Sequence, residues 1–217
     1  MSRLPIFPLG TVLVPGGRLP LRIFEKRYVL LLRELLDHPE REREFGVVGI
    51  RCGHEVGPNQ ATDLFGIGCT ARIYHVDALG DGTYNVLTRG MRRFRLDGFE
   101  EDAGTPYLTG RITWLEDPAV DPSALSPLAD RVLAELAKYR SLFPTQSAAV
   151  PTEPEDLSYR LADLMVLDNA DRHRLLACPD TASRLELGRR LLRREYVLVG
   201  TLSAVPHHGS FEPGPEN

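Results

Sequence analysis

The chain has 217 residues, 42% of them hydrophobic, which is enough for one sizeable domain or two small ones. Its formal net charge of −4 argues against a general polyanion binder. No apolar run approaches the roughly 18 residues of a membrane helix, and the first residues hold no long apolar core that would predict a signal peptide. Cysteines without a CxxC pair suit a reducing compartment, so we expect a cytoplasmic protein without membrane association.

Short apolar runs open the chain. Residues 4–9 and 11–14 read as two strands, and residues 19–24 read as a third strand after a Pro-Gly-Gly turn. Four prolines interrupt these runs, and proline cannot donate to a strand ladder. The pattern therefore predicts edge strands or bulged strands here.

The period then becomes helical. Apolar residues recur between positions 28 and 36 at the spacing of a short amphipathic helix. Glu25 stands at the start of this helix, where the helix dipole favours a carboxylate. An acid–base pair of Glu25 with Asp63 is the alternative interpretation, but no feature of the sequence brings the two together.

The next segments read as strands. The β-forming residues indicate a buried strand at 45–51, a hairpin around Gly80–Gly82, and further strands; the full set is 45–51, 63–79, 83–89, 91–101 and 107–116, with a loop at 53–62. The sequence thus predicts a β-rich lobe over residues 1–117.

From residue 122 the period is helical throughout. A stripe of apolar residues over 125–143 predicts one helix, and a second follows at 157–165. Asp168 is expected to cap a third helix that ends near residue 178, and Asp180 a fourth that runs to about residue 199. We therefore predict an α+β protein with a four-helix lobe at 122–203 and a disordered tail at 204–217.

The first segments resemble a known signature. Pro-Ile-Phe-Pro-Leu at 5–9, followed by Pro-Gly-Gly-Arg-Leu-Pro-Leu-Arg-Ile-Phe-Glu-Lys-Arg-Tyr at 15–28, is similar to the opening of the Lon protease amino-terminal, substrate-binding domain. Segments at 66–73, 89–96 and 106–108 resemble later parts of that domain in the same order. The resemblance implies a bacterial member of this family, with a PUA-like pseudobarrel followed by a helical bundle.

Catalytic motifs of the protease are not found in the sequence. The only lysines are Lys26 and Lys138; neither follows a glycine as a P-loop requires, and neither belongs to a segment that resembles the serine–lysine peptidase domain. There is also no Gly-x-Ser-x-Gly or His-Glu-x-x-His motif. We therefore expect a stand-alone, non-catalytic protein without ATPase or peptidase domains, and with no cofactor.

A metal site is a weaker hypothesis. Cys52, His54, Cys69 and His75 supply sulfur and nitrogen ligands of the kind that zinc prefers, but their spacing matches no known finger. A buried cysteine with surface histidines is the favoured interpretation. A metal-dependent enzyme that uses these residues with Asp63 ranks last among the functions considered.

An arginine cluster supports a second alternative. Arg89, Arg92, Arg93 and Arg95 surround the aromatic Phe94, and on a PUA-like barrel this pattern suggests RNA binding. A solvated strand face, with nearby acidic residues at 100–102 as partners, is favoured because the chain is acidic. The arginines between 189 and 194 are interpreted as the polar face of the last helix.

The resemblance implies the function that we expect, which is binding of unfolded or degron-bearing polypeptides, with a protease as a possible partner. An apolar groove or a free sheet edge would accept an extended segment. The hypothetical contact residues are Phe24, Tyr28, Arg89, Arg92 and Phe94. As an isolated domain the protein could serve as an adaptor or a regulator of proteolysis.

Overall fold

The computed structural model describes residues 2–52, 63–101, 103–143 and 148–203. It contains seven strands and five α-helices, with one 3₁₀ turn at Glu40–Glu42. The strands are β1 (Ser2–Leu9), β2 (Arg18–Ile23), β3 (Glu44–Cys52), β4 (Asp63–Leu64), β5 (Ile67–Leu79), β6 (Thr83–Phe99) and β7 (Leu108–Leu115). The helices are α1 (Lys26–Leu36), α2 (Pro122–Arg140), α3 (Pro154–Leu164), α4 (Asn169–Ala177) and α5 (Thr181–Ser203).

Five strands close a barrel in the order β1, β7, β6, β5, β3. All neighbours in this order are antiparallel, and the barrel is closed by the parallel pairing of β1 with β3. The short β4 adds to β3, and β2 adds to the first half of β6. The predicted fold class, a β-rich pseudobarrel followed by helices, is confirmed.

A small apolar cluster fills the barrel. It consists of Leu4, Ile6, Val48, Phe94 and Ile112. Space for it comes from glycine, because a Cβ on Gly46 of β3 would lie 2.8 Å from the Phe94 ring of β6, a strand that does not neighbour β3. Any side chain at position 46 would therefore collide with the interior.

A second, larger cluster joins the outside of the barrel to the helices. Tyr28 of α1 stacks on Phe7 of β1, with ring centroids 3.7 Å apart, and the buried face of α1 covers this part of the barrel. The same cluster continues through Val132 of α2, Leu161 of α3 and Leu185 of α5. This larger cluster is therefore an apolar core that the outer face of the barrel shares with the helices.

The helix starts follow the sequence signals. Asp168 accepts a hydrogen bond from the backbone N–H of Asp171, and Asp180 accepts one from that of Ser183, at 2.8 and 2.7 Å. Both predicted caps are therefore confirmed. Glu25 is the N-cap residue of α1, although its side chain pairs with Arg27 at 2.8 Å instead of with the backbone.

Four strand predictions were wrong. The segment 63–79, predicted as one strand, is interrupted at residues 65–66 and forms β4 and β5. Residues 11–14 form no strand; they run as a buried connection, and Arg172 of α4 donates to the carbonyl of Val12. The strands predicted at 83–89 and 91–101 are one strand, β6, which continues through Gly90. β1 is not an edge strand, because residues 2–6 pair with β7 and residues 6–9 pair with β3.

The prolines of β1 fit this divided pairing. Among the described strands, β1 is paired with β7 only at Pro5 and with β3 only at Pro8. Since one side of the strand is open at each position, a missing N–H can be tolerated there. β2 does match the prediction, because β6 is its only partner among the described strands.

Several predictions lie outside the described residues or stay predictions. The loop at 53–62 and the tail at 204–217 are not described. The division into lobes at 1–117 and 122–203 stays a prediction, since the apolar core crosses it. Within the described residues, no helix is both long enough and apolar enough to span a membrane.

Candidate functional site: a groove between the barrel and helix α3

An open groove of about 920 Å³ lies between the outer face of the barrel extension and the start of α3. The extension is formed by β2, the first half of β6 and the second half of β5. The groove is lined by Pro15, Gly16, Arg18, Arg72, Tyr74, Leu87, Arg89, Gly90, Met91, Glu155, Asp156 and Tyr159. Its volume is within the range of about 300–1,000 Å³ that is typical of ligand sites.

Apolar side chains on the barrel wall of the groove face solvent. Tyr74 of β5 is 46% exposed and Leu87 of β6 is 37% exposed. The alternation of the strand causes this arrangement, because Val86 and Thr88 on either side of Leu87 point into the core. Two large apolar groups are thus exposed to solvent rather than packed in the protein interior.

Buried polar contacts fix the floor of the groove. The Tyr159 hydroxyl of α3 donates to the Asp117 carboxylate at 2.9 Å, and the fully buried Arg184 guanidinium of α5 stacks on the Tyr159 ring at 3.6 Å. Arg93 of β6 also donates to Asp117, and to the Leu176 carbonyl at 2.7 Å. Burial raises the pKa of Tyr159, so its hydroxyl stays a donor.

A turn of main chain forms the end of the groove. The N–H of Gly16 donates to the Gly90 carbonyl, and the N–H of Gly90 donates to the Gly17 carbonyl, both at 2.8 Å. Gly16 has a φ of +75°, a left-handed conformation that favours glycine. Arg160 of α3 donates to the Gly16 carbonyl at 3.0 Å, so the turn links the barrel to the helix.

The two walls carry opposite charges. Arg18, Arg72 and Arg89 lie on the barrel wall, whereas Glu155 and Asp156 lie in the first turn of α3. The helix dipole favours carboxylates at that position. A neighbouring hollow of about 470 Å³ shares Gly16, Arg18, Arg89 and Asp156 with the groove and extends it toward residues 148–151. The site therefore suits a ligand that is extended and carries charge on one side.

The five predicted contact residues are not brought together. Arg89 lines the groove, but Phe24 and Tyr28 line a separate hollow of about 170 Å³ beside β2. Phe24 is 54% exposed, whereas Tyr28 is buried against Phe7. Arg92 lies over the Trp114 ring at 4.1 Å and does not line the groove.

Phe94 requires a correction. It is fully buried in the barrel interior, packed with Ile6 and Ile112, so its side chain does not reach the surface. Its position follows from the alternation of β6, in which the neighbouring Arg95 faces outward. Phe94 is therefore a core residue of the barrel.

The metal hypothesis gains no support from the described residues. Cys69 is fully buried, and burial raises the pKa of its thiol, whereas His75 is exposed and contacts Asp77 at 3.0 Å. In the described part of the chain, no three His, Cys, Asp or Glu residues are close enough to hold an ion. His54 and the Cys52 side chain lie outside it. Asp63 pairs with Arg51 at 3.6 Å and Glu25 with Arg27, so the carboxylates are engaged separately.

The arginine cluster does not form one patch. Arg93 is buried with Asp117, Arg95 pairs with Asp97 at 2.7 Å, and Arg92 lies 3.9 Å from Glu116. In the last helix, Arg193 pairs with Glu135 of α2 at 2.9 Å and Arg194 with Asp171 of α4 at 2.6 Å. These contacts agree with a structural role for most of the arginines.

Most groove residues were missed by sequence reasoning. Arg18, Arg72, Tyr74 and Leu87 meet only because β2 pairs with β6 in one particular register. The alternation at 84–89 did indicate that Leu87 faces away from Val86. The spacing of residues does not predict that β2 is the strand that pairs with β6 and completes the wall of the groove.

Comparisons with known proteins agree with this fold. The family model of the ATP-dependent protease La (LON) substrate-binding domain matches residues 3–194 of this chain. The Lon protease of Anaeromyxobacter dehalogenans is 29% identical over 88% of this chain, and Lon protease 2 of Myxococcus xanthus is 30% identical over 88%. The chain covers 23% and 24% of these two proteins, so it spans about a quarter of their length.

Solved structures give the same result. A Lon N-terminal domain protein from Xanthomonas campestris is similar with a TM-score of 0.62 and 28% identity, and the match covers 89% of this chain and 98% of that one. The N-terminal domain of a Mycobacterium avium complex Lon protease has a TM-score of 0.60 at 17% identity, covering 90% and 98%, which is a likeness of fold. The chain belongs to the family of Lon substrate-binding domains.

Proposed function

We propose that this protein binds unfolded or degron-bearing polypeptide segments in the groove between the barrel and α3, without catalysing their cleavage. The observation that carries the proposal is the exposed pair Tyr74 and Leu87 on the wall of a groove of about 920 Å³, in a chain of the Lon substrate-binding family. Unfolded polypeptides expose the apolar side chains that such a wall would bury.

An extended segment suits the shape of the site. The groove continues past Arg18 and Arg89 into the hollow beside residues 148–151, so it is longer than a single side chain requires. The outer edge of β2 is unpaired among the described strands and offers main-chain hydrogen bonds next to it. Main-chain bonds give affinity for any sequence, and side-chain pockets give selectivity.

The role in the cell is part of the proposal. A domain that holds a substrate segment can deliver it to a protease, as an adaptor, or withhold it, as a regulator. One copy of this domain should bind a polypeptide with modest affinity, because it lacks the multivalent binding by which several linked copies hold one ligand more tightly. We keep the cytoplasm as the compartment of this role, because cysteines without a paired spacing suit reducing conditions.

The test is a titration of a labelled, permanently unfolded polypeptide, followed by fluorescence anisotropy, with unlabelled RNA as a competitor. We expect saturable binding that RNA does not displace. Replacement of the apolar pair, Tyr74→Ser with Leu87→Ser, should weaken binding about tenfold or more, since two buried apolar side chains are lost.

The matched control is Val166→Ser, because Val166 is 63% exposed and does not line the groove. That variant should bind as the parent does. Equal loss in the control and in the double variant would show that the groove is not the binding site. No binding at tens of micromolar protein would refute polypeptide recognition by this chain.

A further inference from the structure

A row of three arginines crosses the barrel wall of the groove. Arg18 of β2 is directly opposite Arg89 of β6, and Arg89 is directly opposite Arg72 of β5. The next residue in this row is Glu44 of β3, which pairs with Arg72 at 2.6 Å. Like charges directly opposite each other on adjacent strands destabilise a sheet. The row therefore opposes folding locally, and an anion bound beside it would remove the conflict.

Two of the three arginines have no partner among the described residues that neutralises their charge. Arg18 and Arg89 are exposed, and within the described residues neither side chain has a hydrogen bond or an ion pair. Other exposed arginines of β6 do have partners, since Arg95 pairs with Asp97 and Arg92 stacks on Trp114. A guanidinium binds a carboxylate through two parallel hydrogen bonds, and Arg18 and Arg89 are free to make them.

An apolar row lies next to the arginine row. Two residues along the strands, Pro20 is opposite Leu87, and Leu87 is opposite His75; the exposed Tyr74 lies beside them in a bulge of β5. Residues two apart on a strand face the same side, about 7 Å apart. An extended polypeptide that lies along the groove has the same spacing. One of its side chains would contact the arginines, and the side chain two residues away would contact Leu87.

The opposite wall restricts the kind of anion. Glu155 and Asp156 face the groove from α3. A nucleic acid carries a phosphate at every residue and would bring several of them near these carboxylates, in a chain whose net charge is already −4. A polypeptide with a single acidic side chain on its barrel-facing side avoids that repulsion. The charges therefore favour a polypeptide over RNA.

From these contacts we infer that the groove selects extended polypeptide segments in which an acidic residue lies two positions from a bulky apolar residue. Arg18 and Arg89 bind the carboxylate, and Leu87 with Tyr74 binds the apolar side chain. Glu155 and Asp156 disfavour a second acidic group on the opposite side of the segment. The inference rests on the proposed polypeptide binding and adds the class of segment that is recognised.

The experiment uses labelled peptides that differ at one position. Each is a short glycine- and serine-rich segment with a central Glu-x-Leu, Gln-x-Leu, Lys-x-Leu or Glu-x-Ser sequence, and binding is followed by anisotropy at low and moderate salt. We expect the Glu-x-Leu peptide to bind about tenfold more tightly than each of the others, because a charge-assisted pair or a buried leucine is lost in every one. Its advantage over the Gln-x-Leu peptide should shrink as salt rises.

Variants of the protein test whether the arginine row causes the preference for the acidic peptide. The double variant Arg18→Gln with Arg89→Gln should bind the Glu-x-Leu and Gln-x-Leu peptides equally. The matched control is Arg95→Gln, an exposed arginine of the same strand that lies outside the groove, and it should keep the preference. Circular dichroism and the melting temperature would show that the double variant is folded, which we expect because it removes repulsion.

The outcomes separate the two proposals. Equal binding of the Glu-x-Leu and Gln-x-Leu peptides, with the unfolded polypeptide still bound, would overturn the acidic preference and leave polypeptide binding intact. A preference that persists in the double variant would also overturn it. Loss of all polypeptide binding would end both proposals. Displacement of the peptides by RNA, with the double variant insensitive to RNA, would assign the arginine row to nucleic acid instead.

Discussion

Arg184 of α5 stacks on the ring of Tyr159 of α3 at 3.6 Å, with no exposed surface of its own. Both residues bind the Asp117 carboxylate at 2.9 Å, at the point where the chain leaves the barrel for the helices. Arg93 of β6 donates to the same carboxylate. One carboxylate therefore connects the barrel to two helices, and it fixes the tyrosine that forms the groove floor.

The first prediction concerns this carboxylate. Arg184→Met removes the stacked guanidinium and its hydrogen bonds to Asp117 and Ser158, while Arg93 and Tyr159 still bind the carboxylate. We expect the free energy of unfolding to fall by about 1.5–3 kcal/mol, the usual contribution of hydrogen bonds to charged groups. Urea denaturation measures it.

The matched control for that prediction is Arg190→Met, an exposed arginine on the same helix. It should change the free energy of unfolding by less than about 0.5 kcal/mol. A similar loss in both variants would mean that the buried pair is not what stabilises the contact between barrel and helices.

The second prediction concerns Gly90. A Cβ at this position would lie 2.1 Å from the Val14 carbonyl oxygen, in the segment whose turn ends the groove. Gly90→Ala must therefore displace that main chain, and we expect a loss of about 2 kcal/mol or more together with weaker polypeptide binding. Thermal unfolding and the anisotropy titration measure the two effects.

Gly80→Ala is its control, because a Cβ at Gly80 meets nothing within 4 Å. This variant should match the parent in both assays. If the Gly90→Ala protein is destabilised but binds the polypeptide normally, the turn is not part of the binding site.

The third prediction is a dependence on pH. The backbone N–H of Ser183 and its hydroxyl donate to Asp180 and hold the pKa of that carboxyl below its ordinary value. A carboxyl whose pKa is lower in the folded state stabilises the fold above the unfolded-state pKa of about 3.9, and the contribution is lost as the pH falls through the folded-state pKa. Asp180→Ala should therefore cost about 1 kcal/mol at neutral pH and less in acid.

Asp180→Asn separates the cap from its charge. Asparagine caps about as well as aspartate but does not titrate. The asparagine variant should equal the parent at pH 7 and become the more stable of the two as the pH falls below about 4. Parallel unfolding curves of the parent and both variants across pH 2–7 would provide the comparison. A constant difference between parent and asparagine variant would contradict the prediction.

The fourth prediction follows from the arginine row. Because Arg89 faces Arg18 and Arg72 directly, Arg89→Gln should raise the free energy of unfolding by a few tenths to about 1 kcal/mol at low salt. The gain should disappear as ionic strength rises, since salt screens exposed charges. The melting temperature at two salt concentrations tests this, and a fall at low salt would show that Arg89 has a stabilising partner.

The elements of the fold were largely predictable from local signals. The turn at 80–82, the helical stripe of α2 and the caps at Asp168 and Asp180 depend on neighbours in sequence, and each is found where it was expected. The α+β architecture follows from the same signals and from the resemblance to the Lon domain.

The candidate site depends on information that spacing does not contain. The spacing predicts separate strands on either side of Gly90, but the strand continues because the glycine admits the Val14 main chain beside it. The sequence predicts a surface position for Phe94, although its direction depends on which face of β6 the barrel encloses. The arginine row requires the register of three strands, of which only the β5–β6 hairpin was predicted.

The divided pairing of β1 has a consequence for the order of synthesis. Its residues 6–9 pair with residues 46–49 of β3, whereas Ser2 is opposite Ile112 of β7, about a hundred residues later. On the ribosome the amino-terminal half of β1 must therefore remain without its ladder while most of the barrel is still being made. Such distant pairings slow folding and leave strand edges open to other chains in the meantime. Of the described strands, the one that is made first is therefore among the last to be fully paired.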